Sequence, residues 1–190
     1  MRVFLAIPLP DDLRDALAAL QDDLQAGRAV PEENLHLTLA FLDEQPEEAL
    51  AALDDELSAL SVAPFELVPR GLGVFGGGRP RLLYAALAPS PALDDLHARV
   101  LRAVRRAGIE LRRERFVPHV TLARFGAGAR GTDLERVQHF LARHMAWEGP
   151  PLPVTGFGLY HSRLGPGAAV YEELATYPES REPALGREEE

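Results

Sequence analysis

Asn34-Leu35-His36-Leu37-Thr38-Leu39-Ala40-Phe41 decides how the rest of the chain is read. Apolar and other residues alternate through it, which predicts a strand with Leu35, Leu37, Leu39 and Phe41 on one face and His36, Thr38 and Ala40 on the other. Eighty-three positions later the pattern returns as His119-Val120-Thr121-Leu122, inside a second strand-like stretch, Phe116 to Phe125. The two copies use two of six His and two of five Thr. Residue frequencies alone predict roughly 0.03 occurrences of His-x-Thr-Leu in a chain of this composition, so a second copy asks for a common cause. Residues two apart on a strand share a face, so each copy presents an imidazole beside a hydroxyl.

Working outward, the text around each copy also repeats. A strand over residues 2–9 and a helix from Asp11 to Gln25, with Leu13, Leu17, Leu20 and Leu24 at helical spacing, precede the first motif. A helix from Pro46 to about Leu60 and short strands at Phe65 to Val68 and Leu72 to Phe75 follow it. The second motif has a strand at Arg81 to Leu87 and a helix at Pro91 to Ala107 before it, closed by Gly108. After it come a helix at Asp133 to His144 and strands near Val154 to Tyr160 and Ala168 to Ala175. Arg2-Val3-Phe4-Leu5-Ala6 answers Arg81-Leu82-Leu83-Tyr84-Ala85, and Gly71-Leu72-Gly73-Val74-Phe75 answers Gly156-Phe157-Gly158-Leu159-Tyr160. The chain therefore reads as a doubled unit of strands and helices, although Arg81 to Ala88 can also be laid on Ala168 to Ala175, which leaves the repeat boundary open. Residues 1–177 are expected to form this single domain, and the acidic stretch 178–190 a disordered tail.

Composition narrows the chemistry. The 190 residues contain no Cys, which removes disulfides, thiolate nucleophiles and Cys-ligated metals and fits a cytoplasmic setting. The apolar start, Val3 to Leu9, is too short to span a membrane. A net charge of −9 argues against coating nucleic acid through bulk electrostatics while leaving room for a small phosphate site. All 20 basic residues are Arg, whose planar forks suit phosphate oxygens. A monomer is expected.

Two opposed imidazoles and two hydroxyls suit a phosphodiester. In-line cleavage of a P–O bond needs a base for the nucleophile and an acid for the leaving oxygen, with donors holding the non-bridging oxygens. Neither a metal nor a cofactor is expected, and the residue types leave open which His is acid and which is base. Pro118, directly before His119, cannot donate to a ladder, so the second motif strand should begin there, bulge there or lie at an edge.

The pair His36-Leu37-Thr38-Leu39 and His119-Val120-Thr121-Leu122 resembles the signature motifs of the two-histidine phosphoesterase superfamily. Arg2 to Ile7, Pro31 to Leu35, Phe116-Val117-Pro118, Ala123-Arg124, Leu159 to Leu164 and Tyr171 are together similar to RNA 2′,3′-cyclic phosphodiesterases, also described as 2′-5′ RNA ligase-like proteins. The resemblance implies an α+β, bilobal fold, with two pseudo-symmetric lobes, each with an antiparallel sheet and helices, around a central cleft, and metal-independent opening of a 2′,3′-cyclic phosphate, on RNA or nucleotides, to a 2′-phosphomonoester. By the family's pattern His36 matches the proton donor, His119 the proton acceptor, and Thr38 and Thr121 the hydroxyls that hold phosphate. Arg124 follows the second motif as an expected phosphate clamp, although strict alternation turns it away from His119 and Thr121. Tyr160 is the other expected substrate-binding residue. Gly27-Arg28-Ala29-Val30 lacks an aromatic common in relatives, which removes a base-stacking contact there. Two other functions suit the same residues: joining a cyclic end to a 5′-hydroxyl, and phosphate binding without turnover.

The remaining candidates read as structural. Arg99, Arg102, Arg105 and Arg106 form a stripe opposite Leu93, Leu96, Val100 and Val104, as a solvated helix face would. Gly76-Gly77-Gly78-Arg79 reads as a turn, and His97, His139 and His144 as helix-surface residues.

Overall fold

Each repeat opens with an apolar run of strand length and passes into a helix with one buried stripe, so strands and helices alternate from the first residue. The computed structural model describes residues 1–113, 115–127, 131–165 and 169–178, and the expected acidic tail from 179 onward lies outside them. The first repeat comprises β1 (Arg2–Pro8), α1 (Asp11–Asp23), a two-residue β2 (Arg28–Ala29), β3 (His36–Glu44), α2 (Glu47–Ser58), β4 (Phe65–Leu67) and β5 (Pro69–Phe75). The second comprises β6 (Leu82–Leu87), α3 (Pro91–Arg106), β7 (His119–Arg124), α4 (Thr132–Arg143), β8 (Leu152–Val154), β9 (Phe157–Leu164) and β10 (Ala169–Tyr177). The class is α+β. Among the described residues no helix is long and apolar enough to cross a membrane.

The antiparallel sheets expected for the two halves are joined into one. Its strand order is β10-β9-β1-β3-β7-β6-β5, with β2 on β7, while β4 and β8 form a separate pair. The strand that ends the first repeat and its match in the second each cross into the other half: β5 pairs β6, and β9 pairs β1. Where the halves meet, one residue at each junction faces its own counterpart. Leu37 pairs Val120, the matching position of the second motif, and Leu67 pairs Leu152, its match when Gly71 is laid on Gly156. Antiparallel self-pairing of equivalent residues is what an approximate two-fold axis through both pairs requires.

One expected alignment shifts. Pairing sets Leu5 opposite Ala40 and Leu83 opposite Ala123, so Leu5 answers Leu83, and Ala6 answers Tyr84. The sequence match of Arg2 to Ala6 with Arg81 to Ala85 is therefore one residue out of register, and such a slip would send every side chain to the opposite face.

The helices cover one face of the sheet. Leu13, Leu17 and Leu20 of α1, and Leu93, Leu96, Val100, Ala103 and Val104 of α3, join Leu37, Leu39, Val120 and Leu122 in one buried cluster. Leu37 and Leu122 are fully enclosed, and truncating such a side chain to Ala typically costs about 2–5 kcal/mol. These apolar partners fix the pleat, and the pleat turns His36, Thr38, His119 and Thr121 to the open face, where all four are half-buried. As Pro118 requires, β7 begins at His119.

Candidate active site

Both imidazoles are oriented by the same device. Nδ1 of His36 lies 2.7 Å from the carbonyl of Asn34, and Nδ1 of His119 lies 2.7 Å from the carbonyl of Val117. A carbonyl only accepts, so Nδ1 of each ring carries the hydrogen and donates, and Nε2 takes no part in that bond. Asn34 is itself held: its buried amide donates to the carbonyl of Ala169 on β10 at 2.7 Å. Antiparallel pairing at Leu37 and Val120 puts Thr121 on the His36 side of the junction and Thr38 on the His119 side. The sheet thus brings all four expected residues together at the seam.

Aromatic rings wall each imidazole differently. Phe4 and Tyr171 flank His36, with centroids at 4.9 and 5.3 Å, and Phe75 and Tyr84 flank His119, both at 5.2 Å. The ring of Tyr84 fits because position 73 is Gly: a Cβ there would approach that ring to 2.4 Å. Tyr160 sits one ring away from His36, stacked on Phe4 at 5.4 Å, with its hydroxyl donating to Glu173 at 3.1 Å. Burial beside Glu173 pushes that hydroxyl's pKa up. Tyr171 is the tyrosine that meets His36.

Alternation fails where it matters most. In β3 the register moves from Thr38 opposite Ala6 to Ala40 opposite Leu5, so Leu39 is an extra residue. In β7 it moves from Thr121 opposite Tyr84 to Ala123 opposite Leu83, so Leu122 is extra. These are matching β-bulges. Leu39 with Ala40, and Leu122 with Ala123, are consecutive buried residues, and the next side chain in each strand returns to the open face. Phe41 is accordingly 61% exposed rather than beside Leu39 in the core, and Arg124 turns toward the site rather than away. The charge on Arg124 reaches both imidazoles. A helix side chain stands at each bulge: Gln21 Nε2 of α1 donates to the Leu122 carbonyl at 2.8 Å, and for the His97 ring of α3 burial lowers the pKa while the Leu39 carbonyl opposes that shift. His97 is thus half-buried and stacked on Phe116 at 3.7 Å, not a plain surface residue.

Electrostatics favour neutral rings. Burial lowers the His36 pKa to about 4, opposed by its bond to Asn34 and helped by Arg124 and His119. Burial also lowers His119, again opposed by its carbonyl and helped by Arg124. The Arg stripe on α3 divides: Arg99 bonds the carbonyl of Ser61, Arg106 pairs with Glu56 of α2 at 3.7 Å, and Arg105 lines a groove beside the site.

The doubled α+β fold thus presents two oriented imidazoles, two hydroxyls and one guanidinium on its seam. Residues 7–166 match the model of the 2′-5′ RNA ligase superfamily, and the chain belongs to that family. It is 36% identical over 192 residues to the RNA 2′,3′-cyclic phosphodiesterase of Thermus thermophilus, covering 93% of this chain and 89% of that one. It is 30% identical to the RNA 2′,3′-cyclic phosphodiesterase of Geobacillus stearothermophilus over 92% of this chain, and spans 56% of that relative's length. The crystal structure of E. coli LigT complexed with 3′-AMP superposes with a TM-score of 0.75 at 26% identity, covering 95% of this chain and 98% of that one.

Proposed function

We propose that the protein hydrolyses the 2′,3′-cyclic phosphate of RNA ends or nucleotides to a 2′-phosphomonoester. The observation that carries this reading is the paired commitment of both Nδ1 atoms to backbone carbonyls, which leaves two Nε2 atoms for acid and base work. His119 Nε2 takes a proton from water, whose oxygen attacks phosphorus opposite the 3′-oxygen. The P–O3′ bond breaks, and His36 Nε2–H delivers its proton to that oxygen. Thr38 and Thr121 donate to the non-bridging oxygens, and Arg124 balances their charge. Tyr160, stacked on Phe4 next to His36, is a further substrate-binding residue in this reading. Because acid and base are both imidazoles, the scheme uses no metal or cofactor. Its product from chelator-treated protein and 2′,3′-cyclic AMP is 2′-AMP. Phosphorus NMR or chromatography distinguishes that isomer from 3′-AMP, and release of 3′-AMP alone, or turnover only on adding a divalent cation, would overturn the scheme.

The depressed pKa values set a pH signature. The active free protein carries one proton on the pair, and with both groups lowered that state is lost as pH rises toward neutrality. kcat/KM should therefore peak below pH 6.5. A bound anion raises both pKa values, so kcat should peak at a higher pH than kcat/KM. A kcat/KM optimum above pH 7 in a buffer series would contradict this electrostatic picture.

A further inference from the structure

The two halves differ at one edge. In the second half β2 zips onto the outer edge of β7, with Arg28 opposite Arg124 and Ala29 opposite Ala123, and Val30 N–H donates to Leu122. The motif spacing of 83 makes Leu111-Arg112-Arg113 the counterpart of Arg28-Ala29-Val30. That counterpart does not pair with β3: among the described residues no strand joins β3 on this edge beyond Leu37. The result is a groove of about 950 Å³ along β3, which opens on Thr38 and His119 of the site. It lies near the top of the roughly 300–1,000 Å³ range of small-molecule sites, more room than the reacting nucleotide alone requires.

The lining has the chemistry of a nucleotide site. Phe41, Phe75 and Phe116 border it, and Phe41 is exposed because the bulge at Leu39 turned it outward. Among the described residues, Arg105, Arg112, Arg113 and Arg115 line it against two carboxylates, Asp43 and Glu110. Asp43 lies 4.0 Å from Arg112, and among the described residues the other three guanidiniums have no carboxylate at that range in the groove. This local excess of positive charge stands in a chain of net charge −9. Aromatic faces beside a basic wall are what a base and its phosphate use together.

We infer that this groove is a second nucleotide subsite, which takes the nucleotide immediately 5′ of the cyclic-phosphate terminus, its base on Phe41 and its phosphate on Arg112 and Arg113. The inference rests on the cyclic-phosphate reading above, and it makes the preferred substrate an oligonucleotide rather than a mononucleotide. The probes are 2′,3′-cyclic AMP and the dinucleotide ApA ending in a 2′,3′-cyclic phosphate, compared by kcat/KM. The dinucleotide should be favoured by about tenfold or more, and that preference should shrink as salt rises, since it depends on phosphate contacts. Arg112→Gln combined with Arg113→Gln should reduce the preference to within about threefold. The salt series on the unmodified protein decides independently of whether the double variant folds. Equal kcat/KM for the two substrates, or a preference indifferent to both salt and the substitutions, would overturn the subsite. So would competition by a separate 5′-hydroxyl ApA with no dinucleotide preference, because the groove would then serve a second strand. If neither compound is turned over, the proposed activity fails instead, and the affinities of the same two compounds for the unmodified and double-variant proteins still decide the subsite.

Discussion

Replacing His36 or His119 with Ala should each lower kcat/KM for 2′,3′-cyclic AMP by about 10²–10⁴-fold, the range over which positioned acids and bases act. Combining the two should cost little more than the worse single change, because an acid and a base serving one displacement act as a unit. Folding should survive. The imidazoles lie on the open face, whereas the apolar side chains that hold β3 and β7 in place are Leu37, Leu39, Val120 and Leu122 beneath them. The carbonyls of Asn34 and Val117 would lose their ring donors but lie next to the cleft, where water can replace them. Gln at either position can still donate a hydrogen bond but does not titrate near neutrality, so it separates orientation from proton transfer. Retention of more than a tenth of the activity by the Ala or the Gln variant of either His, with an unchanged melting temperature, would remove that residue from the acid–base pair.

The site was legible in sequence because its chemistry and its scaffold repeat together. A period of two put His36 with Thr38 and His119 with Thr121, and the Leu spacing of α1 and α3 identified the helices that cover the opposite face. What alternation could not supply was the extra residue in each motif strand. A bulge leaves no mark in hydrophobicity here, because Leu-Ala follows Thr in both copies and both residues are buried. The available signal was the recurrence itself: His-x-Thr-Leu-Ala occurs twice and ends once in Phe41 and once in Arg124. An outward Phe and an outward Arg at matched positions are easier to reconcile with a shared open face than with a shared core.

Strand exchange was hidden for a different reason. Gly71 to Phe75 and Gly156 to Tyr160 match correctly in sequence, yet nothing local says that each packs against the other repeat's first strand. Pairing partners are set by which edges remain open after β1 meets β3 and β6 meets β7, a property of the whole sheet. The same limit covers β2, whose two residues are too few to show a period, and His97, which meets the Leu39 carbonyl at the bulge. Nor does any local pattern show that Phe4 lies between Tyr160 and His36.

Arg124→Gln should lower kcat/KM for 2′,3′-cyclic AMP by about 10²–10³-fold, the usual cost of removing one preorganised donor from a site of developing negative charge. Arg124→Lys should fall between the two, since it keeps the charge and loses the fork. The two possible orientations of this side chain make opposite predictions. Under strict alternation Arg124 would point away from Thr121 and its loss would scarcely register, within about twofold for an exposed residue remote from the chemistry. With the bulge at Leu122 it faces the imidazoles and lowers the pKa of both. Its removal therefore carries a second signature that simple loss of phosphate affinity lacks. Relieved of a neighbouring positive charge, His36 and His119 both become easier to protonate, so the kcat/KM optimum of Arg124→Gln should move to higher pH, while Arg124→Lys keeps the parent optimum. A tenfold or greater loss with no displacement of the pH profile would mean that Arg124 meets substrate without touching the acid–base pair, whereas a loss within about twofold would mean that the shared-face geometry of the bulged strand is wrong.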